Sequence, residues 1–101
     1  MNISEKQIRT ALENVMDPEL NLSIVDLGLI YEIHQPAKDN VHIVMTLTTL
    51  GCPLFHVIES DIHKNLGTLG YDKEQIDIEL VFDPPWSMDR MTENAKAMLG
   101  I

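Results

Sequence analysis

Two stretches of alternating side chains on either side of a helical stretch constrain the fold of this chain most. Residues 41–48 and 76–82 alternate apolar side chains with polar or mixed ones, which is typical of strands with one buried face. The stretch between them has apolar residues at the spacing of one helix face. These residues are Leu54, Val57, Ile58, Ile62 and Leu66. A strand–helix–strand unit is therefore predicted, with a right-handed crossover if its strands run parallel.

The amino-terminal half predicts a helix and a hairpin. Ser4 and Gln7 form a capping-box pair at the start of a helix over residues 4–16, which Asp17-Pro18 would end because proline disfavours a helical residue before it. A strand over residues 29–34 follows Gly28 and precedes a polar, turn-rich loop. This strand and residues 41–48 are close enough in sequence to form an antiparallel hairpin.

The carboxyl-terminal segment predicts one more helix. Ser87 is its expected cap, Gly100 its expected end, and Met88, Met91 and Met98 repeat at helical spacing as a core-facing stripe. The order α-β-β-α-β-α predicts a two-layer α/β (α+β) sandwich, in which a small three-stranded mixed sheet has helices on one face.

The size and charge of the chain limit its partners. The 101 residues suit one domain over residues 1–101. Seven basic against sixteen acidic residues give a net charge of −9, which argues against nucleic acid and an anionic membrane as partners. One cysteine cannot close an intramolecular disulfide. No leader or bilayer-spanning apolar run is recognised, so a cytoplasmic location is expected. The open edges and uncovered face of a three-stranded sheet favour a homodimer.

Cys52 is the first candidate for chemistry. It lies before Pro53, which suits the first position of a helix. A thiol there faces unpaired backbone N–H groups and the positive end of the helix dipole, and both stabilise a thiolate that can act as a nucleophile or a metal ligand. The alternative is a small buried apolar side chain. One thiolate cannot complete a metal or cluster site, so further ligands would come from a second copy, a partner protein or small thiols.

Three histidines are weaker candidates. His56 lies one helical turn after Cys52, where it is either a second ligand or activating base or a surface histidine. His34 and His42 are expected to be cross-strand neighbours in the hairpin, and two ligands without a third make a weak metal site.

Four other side chains allow two interpretations each. Thr46 and Thr48 share one strand face just before Cys52, where they either donate hydrogen bonds to a thiolate site or fill a polar sheet face. Asp26 lies in an apolar surround, where a charge is costly unless it is hydrogen-bonded, and is either a functional carboxylate or a turn or cap carboxylate that accepts backbone N–H bonds. Trp86 either fills the core or belongs to an exposed docking surface.

Three segments together resemble the MIP18-like family, also called DUF59, which includes SufT and PaaD-like proteins. Residues 17–21 and 25–31 (Asp-Pro-Glu-Leu-Asn and Val-Asp-Leu-Gly-Leu-Ile-Tyr) are similar to the family's opening motif. Residues 46–54 are similar to its central Thr-x-Thr-x-x-x-Cys-Pro motif, and residues 83–87, 89–91 and 99–100 to its closing motif. The resemblance covers nearly the whole chain, and the three motifs occur in the family's order.

The resemblance implies an accessory protein of iron–sulfur cluster assembly or delivery, similar to SufT. Cys52 would be a transient ligand of a cluster, of iron or of a persulfide, with Thr46 and Thr48 beside it, and this chain alone would hold no cluster. Its partners would be iron–sulfur scaffold or carrier proteins and apo-protein clients. The motif positions that carry over are Asp17, Glu19, Asp26, Thr46, Thr48, Cys52, Pro53 and Trp86.

Two other functions remain open. The first is a PaaD-like interaction subunit of a phenylacetyl-CoA oxygenase system, and the second is a small thiol-dependent enzyme that uses Cys52, with or without His56. The sequence contains neither the P-loop ATPase of some relatives nor the cysteine-rich tail of some PaaD-like proteins. A stand-alone, non-enzymatic factor similar to SufT is therefore the leading expectation.

Overall fold

The computed structural model of the chain describes residues 3–18, 20–37, 39–48 and 52–100, except for the side chains of residues 52–54. The helices are α1 (Glu5–Leu12), α2 (Cys52–Gly67) and α3 (Glu93–Leu99), and short 3₁₀ turns lie at Lys73–Gln75 and Met88–Arg90. The strands are β1 (Met16–Asp17), β2 (Leu22–Ser23), β3 (Ile30–His34), β4 (Val41–Met45) and β5 (Ile76–Leu80). The predicted α+β class is confirmed, and the β1–β2 ribbon is an addition that the sequence patterns did not indicate.

The three-stranded sheet has the order β3-β4-β5. Strands β3 and β4 are antiparallel, as predicted, and β4 and β5 are parallel. Met45 at the end of β4 pairs with Ile30 of β3 and with Leu80 of β5. The start of β3 and the ends of β4 and β5 therefore lie side by side at one end of the sheet. We call this end, which runs across the strand termini, the motif edge. Both β4 and β5 end before the predicted residues 48 and 82.

Helix α2 covers the sheet with a narrower stripe than predicted. Ile58, Ile62 and Leu66 are fully buried in the main core cluster. Val57 is 49% exposed, so its assignment to the buried stripe was wrong. The buried residues are four apart and lie along one line of the helix, whereas residue 57 is rotated by about 100° from that line.

Helix α1 begins as predicted and ends earlier. Ser4 and Gln7 form both hydrogen bonds of the capping box. The helix ends at Leu12 rather than at residue 16, because the amides of Asn14 and Val15 bond to carbonyl oxygens three residues back and tighten the last turn. Asp17 consequently lies in the β1–β2 ribbon and does not end the helix.

The predicted carboxyl-terminal helix is divided in two. A 3₁₀ turn follows Ser87, whose side chain makes no capping bond, and Thr92 caps α3 by accepting a hydrogen bond from the Ala95 amide. Gly100 ends α3 in the left-handed conformation, as predicted. The break changes the helical phase, so the core stripe predicted for the three methionines was wrong for two of them. Met91 is buried, whereas Met88 and Met98 are more than half exposed.

None of the helices in the described part of the chain is long and apolar enough to cross a membrane.

Replacing one side chain on each face of α2 by alanine tests which face is buried. Ile62→Ala is expected to lower the free energy of unfolding by about 2–5 kcal/mol, because it leaves a cavity in the core. Val57→Ala is the matched control on the same helix and is expected to change stability by less than about 0.5 kcal/mol. Urea denaturation measures both, and equal losses would contradict the observed orientation of α2.

Candidate functional site

A capped helical turn stands next to the motif edge. The amide of Leu29 bonds to the carbonyl oxygen of Ile24, and the amide of Gly28 bonds to that of Val25, both at 3.0 Å. Gly28 has a φ of +76°. This pair of bonds around a left-handed glycine is the Schellman arrangement that ends a helix. The chain therefore makes one helical turn and reverses sharply into β3.

The carbonyl oxygens of this turn accept hydrogen bonds from the closing motif. The Asp26 carbonyl oxygen accepts from the Thr92 amide at 2.9 Å. The Leu27 carbonyl oxygen accepts from the indole N–H of Trp86 at 2.6 Å. The ring of Trp86 is partly buried against the core cluster, which favours the core interpretation over the docking interpretation left open by the sequence.

The same turn also binds the central motif. The Thr46 amide, which follows the last residue of β4, donates to the Leu29 carbonyl oxygen at 2.9 Å. The Val81 amide, which follows β5, donates to the Met45 carbonyl oxygen at 2.8 Å. The opening and central motifs are thus joined at the motif edge by a backbone hydrogen bond, and the closing motif is joined to the same turn by the indole N–H of Trp86 and by the amide of Thr92, which follows Met91.

The carboxylate of Asp26 adds a side-chain connection to α3. Its Oδ1 accepts from the Thr92 hydroxyl at 3.2 Å and its Oδ2 from the Asn94 amide group at 3.4 Å. These contacts match a carboxylate that joins a turn to a helix start. Their donors are side chains more than 60 residues away in sequence, and a search for local capping patterns could not have found them.

Gly28 and Tyr31 pack directly against the closing motif. A Cβ atom at Gly28 would collide with the carbonyl oxygen of Arg90, so glycine is required by the close approach as well as by the backbone conformation. The Arg90 guanidinium lies 4.5 Å from the centre of the Tyr31 ring. The Tyr31 hydroxyl donates to the Pro84 carbonyl oxygen at 2.9 Å.

The hydroxyl of Thr46, like that of Tyr71, is buried without a hydrogen-bond partner in the described part of the chain. The whole of Thr46 is fully buried. Thr48 is partly buried, and both residues follow the end of β4 rather than lying within the strand. A buried hydroxyl without a partner costs about 1–3 kcal/mol.

Cys52 is the first residue of α2, and Pro53 is the second rather than the first. The position of Cys52 at a helix start agrees with the prediction. Its thiol and the side chain of Pro53 lie outside the described side chains, as does Glu19 with the whole of its residue. The environment of the thiol therefore stays a prediction.

Asp17 lies in the β1–β2 ribbon. Its carboxylate is fully buried, its Oδ1 accepts from the Leu20 amide at 3.0 Å, and its carbonyl oxygen accepts from the Asn21 amide at 2.8 Å. These bonds close the turn between the two short strands, which is the capping behaviour typical of aspartate.

The histidines form no metal site in the described structure. The side chain of His56 is 76% exposed, and its nearest charged partner is Glu59 at 3.8 Å, which favours the surface interpretation. His34 pairs with His42 across β3 and β4, as predicted. Within the described ranges, no three His, Cys, Asp or Glu side chains are gathered so that they could hold a metal ion.

The three motifs are joined on a small α+β fold, which is the arrangement expected for the family that they resemble. A family model described as iron–sulfur cluster assembly protein matches residues 5–78. The chain belongs to this family, and the resemblance to DUF59 and SufT proteins is confirmed.

Individual relatives cover nearly the whole chain. A Bacillus subtilis protein named Fe-S protein maturation auxiliary factor YitW is 42% identical over 96% of this chain and 94% of its own length. A Staphylococcus aureus protein named Fe-S protein maturation auxiliary factor SufT is 34% identical over 86% of this chain and 98% of its own. The crystal structure of a DUF59 domain from Bacillus anthracis superposes with a TM-score of 0.88, at 42% identity, over 96% of this chain and 92% of that one.

A more distant relative bears on the alternative function. An Escherichia coli protein, named as one of the subunits of a putative 1,2-phenylacetyl-CoA epoxidase, is 33% identical over 92% of this chain. The chain spans 55% of the length of that protein.

The close approach of Gly28 to the Arg90 carbonyl oxygen predicts that adding one methyl group at residue 28 strongly destabilises the fold. Gly28→Ala is expected to lower the free energy of unfolding by about 2–5 kcal/mol, because left-handed strain adds to the collision with Arg90. Gly100→Ala is the matched control, since Gly100 has the same φ of +76° and no atom within 4 Å of an added Cβ. It is expected to cost only the left-handed strain of about 1–2 kcal/mol. Chemical denaturation compares the two, and equal costs would contradict the packing of the turn against Arg90.

Proposed function

We propose that this protein is an accessory factor in iron–sulfur cluster maturation, with Cys52 as a transient ligand of cluster, iron or persulfide cargo. Membership of the assembly family and the names of the two bacterial maturation factors support the role. The observation that carries the site is the buried, unpartnered hydroxyl of Thr46, six residues before Cys52 at the motif edge.

The proposed chemistry combines one ligand with one hydrogen-bond donor. A thiolate at the start of α2 is favoured by the free N–H groups and by the dipole of a helix of 16 residues. The Thr46 hydroxyl, which is fully buried, would donate to the Cys52 thiolate, and Thr48, which is partly buried, would line the approach of the cargo. Such hydrogen bonds stabilise sulfur ligands and adjust their reactivity.

A single cysteine is better suited to passing an iron–sulfur cluster to another protein than to holding one permanently. Iron–sulfur clusters usually need four thiolates, and this chain has one cysteine. The remaining ligands would come from a scaffold or carrier protein, an apo-protein client, small thiols or a second copy of the chain. A site that is incomplete on its own releases its cargo when a client offers more ligands. We therefore propose a non-enzymatic role, in which cluster carriers and apo-proteins are the partners.

The alternative function is an interaction subunit of a phenylacetyl-CoA oxygenase system. The similarity to the Escherichia coli epoxidase protein favours it. Affinity purification of the chain from its own cells discriminates between the two functions. Recovery of cluster-assembly proteins and iron–sulfur enzymes supports maturation, whereas stoichiometric recovery of ring-oxygenase components supports the alternative.

Anaerobic reconstitution with iron and sulfide tests the site. Wild-type protein is expected to develop the visible absorbance of a bound cluster in the presence of a small thiol, and Cys52→Ala is expected to lose it because the only thiolate is removed. Thr46→Val is expected to weaken cluster retention several-fold without lowering the unfolding midpoint, since it removes a buried hydroxyl that has no partner.

Two matched variants complete the reconstitution. Thr46→Ser keeps the hydroxyl and is expected to retain the cluster, whereas Thr48→Val tests the less buried neighbour. Equal absorbance in wild type and Cys52→Ala would overturn the assignment of Cys52. Equal retention by Thr46→Val and Thr46→Ser would remove the proposed role of the hydroxyl.

Cells test the function as a whole. A strain that lacks this gene is expected to lose part of its aconitase-type activity when demand for clusters is high, while the amount of the apo-enzyme stays the same. Wild-type protein is expected to restore the activity and Cys52→Ala is not. Unchanged activity in the deletion strain under that demand would contradict a role in maturation.

A further inference from the structure

We infer that His42 forms a proton-dependent bridge between β4 and β5 on the sheet face opposite the helices. This inference is independent of the proposed function and concerns residues outside the three motifs. The bridge consists of the His42 ring and the carboxylates of Asp77 and Glu79, which lie on the neighbouring parallel strand.

Both ring nitrogens of His42 face a carboxylate, and with both carboxylates ionised the two contacts are hydrogen bonds only when the ring is doubly protonated. His42 Nδ1 lies 2.6 Å from Asp77 Oδ2, and His42 Nε2 lies 3.0 Å from Glu79 Oε1. Carboxylates are acceptors, and a neutral imidazole has only one N–H to donate. Both hydrogen bonds can therefore form together only when the ring is an imidazolium. Loss of its proton leaves one ring nitrogen facing a carboxylate with no hydrogen between them.

The charged groups around the ring are arranged in rows across the sheet. Asp77 is the direct partner of His42 on β5, and Glu79 lies two residues further along the same face. On the other side, His34 of β3 is opposite His42 with the ring centres 6.0 Å apart. His34 Nε2 bonds in turn to Glu32 Oε1 at 2.9 Å.

Polar side chains of the 3₁₀ turn that precedes β5 lie beside the bridge, near the start of that strand. The groove beside it has a volume of about 740 Å³ and is also lined by Glu74 and Gln75 of the 3₁₀ turn that precedes β5. Carboxylates thus face the bridge from β5, from β3 through His34, and from the 3₁₀ turn. Their combined field favours the protonated form of His42, whereas a charged His34 would oppose it.

The direction of the titration follows from these contacts. The Asp77 hydrogen bond raises the pKa of His42 above its usual value of 6.5, with Glu79 adding to the effect and partial burial opposing it. In the unfolded chain the pKa returns to about 6.5. The bridge therefore contributes its full stability below about pH 6.5, down to the range near pH 4 in which carboxylates take up protons. The contribution is lost as the pH rises through the raised pKa of the folded state.

The bridge acts on the strands that lead to the motif edge. Strand β4 continues into Thr46, and β5 continues into Val81, whose amide bonds to the Met45 carbonyl oxygen. Since β4 and β5 are adjacent and parallel, loss of the bridge between His42, near the start of β4, and residues 77 and 79 of β5 weakens the pairing of the two strands and allows their ends to separate more often. Opening of the Val81 hydrogen bond is therefore coupled to the protonation of His42.

Imidazole NMR titration of the folded protein tests the bridge directly. The midpoint for His42 is expected to lie above 6.5, and both ring nitrogens are expected to show the protonated form at about pH 6. Asp77→Asn is expected to lower the midpoint more than Glu79→Gln does, because its contact is shorter. His34→Gln is the control that removes the neighbouring ring and keeps both carboxylates. A His42 midpoint at or below 6.5, or one that neither carboxylate substitution moves, would overturn the inference.

The consequence for the strands is measured separately. In wild type, the protection factor of the Val81 amide is expected to fall by up to about fivefold relative to that of His42→Gln as the pH rises from about 6 to 8. The unfolding midpoints of the two proteins are expected to converge over the same range. Asp77→Asn provides a second variant with the His42 ring intact. Identical pH dependence of Val81 protection in wild type and in both variants would contradict the coupling.

Discussion

Three N–H groups from distant parts of the chain bond to the carbonyl oxygens of one short turn. The Thr92 amide, the Trp86 indole and the Thr46 amide bond to residues 26, 27 and 29. Several neighbouring backbone carbonyl oxygens are free to accept these bonds because the chain makes a single helical turn, which Gly28 ends by reversing the chain. The turn belongs to the opening motif, and its carbonyl oxygens fix the positions of the central and closing motifs by accepting hydrogen bonds from Thr46, Trp86 and Thr92.

This arrangement supports the proposal that Cys52 is presented from a segment that the sheet holds in place. Sites on loops are useful when a rigid scaffold holds the loops in place. Here the sheet provides the scaffold, because the end of β4 leads through residues 46–51 to Cys52 and the end of β5 leads to the closing motif. Two sets of contacts act on these strands: the hydrogen bonds of the turn at the motif edge, and the inferred bridge from His42, near the start of β4, to Asp77 and Glu79 of β5.

Sequence patterns correctly predicted the structural features that depend on residues close together in the sequence. The capping box at Ser4, the hairpin with His34 opposite His42 and the end of α3 at Gly100 all followed from nearby residues. The errors have causes outside the local window. Met98 is exposed because the chain breaks at residues 91–92, where the Thr92 amide bonds to the 26–29 turn instead of continuing a helix. The Trp86–Leu27 bond joins residues 59 positions apart, and no local period encodes such a contact.

Native-state hydrogen exchange tests the central role of the turn most directly. The Thr46 amide, the Thr92 amide and the Trp86 indole N–H can be followed together by NMR in the intact protein. If the turn holds the three motifs as one cooperative unit, all three groups open with the same free energy and respond equally to low concentrations of denaturant. If the Thr92 or Trp86 proton exchanges through a separate opening of much lower free energy, the closing motif is not held by the turn and the account is wrong.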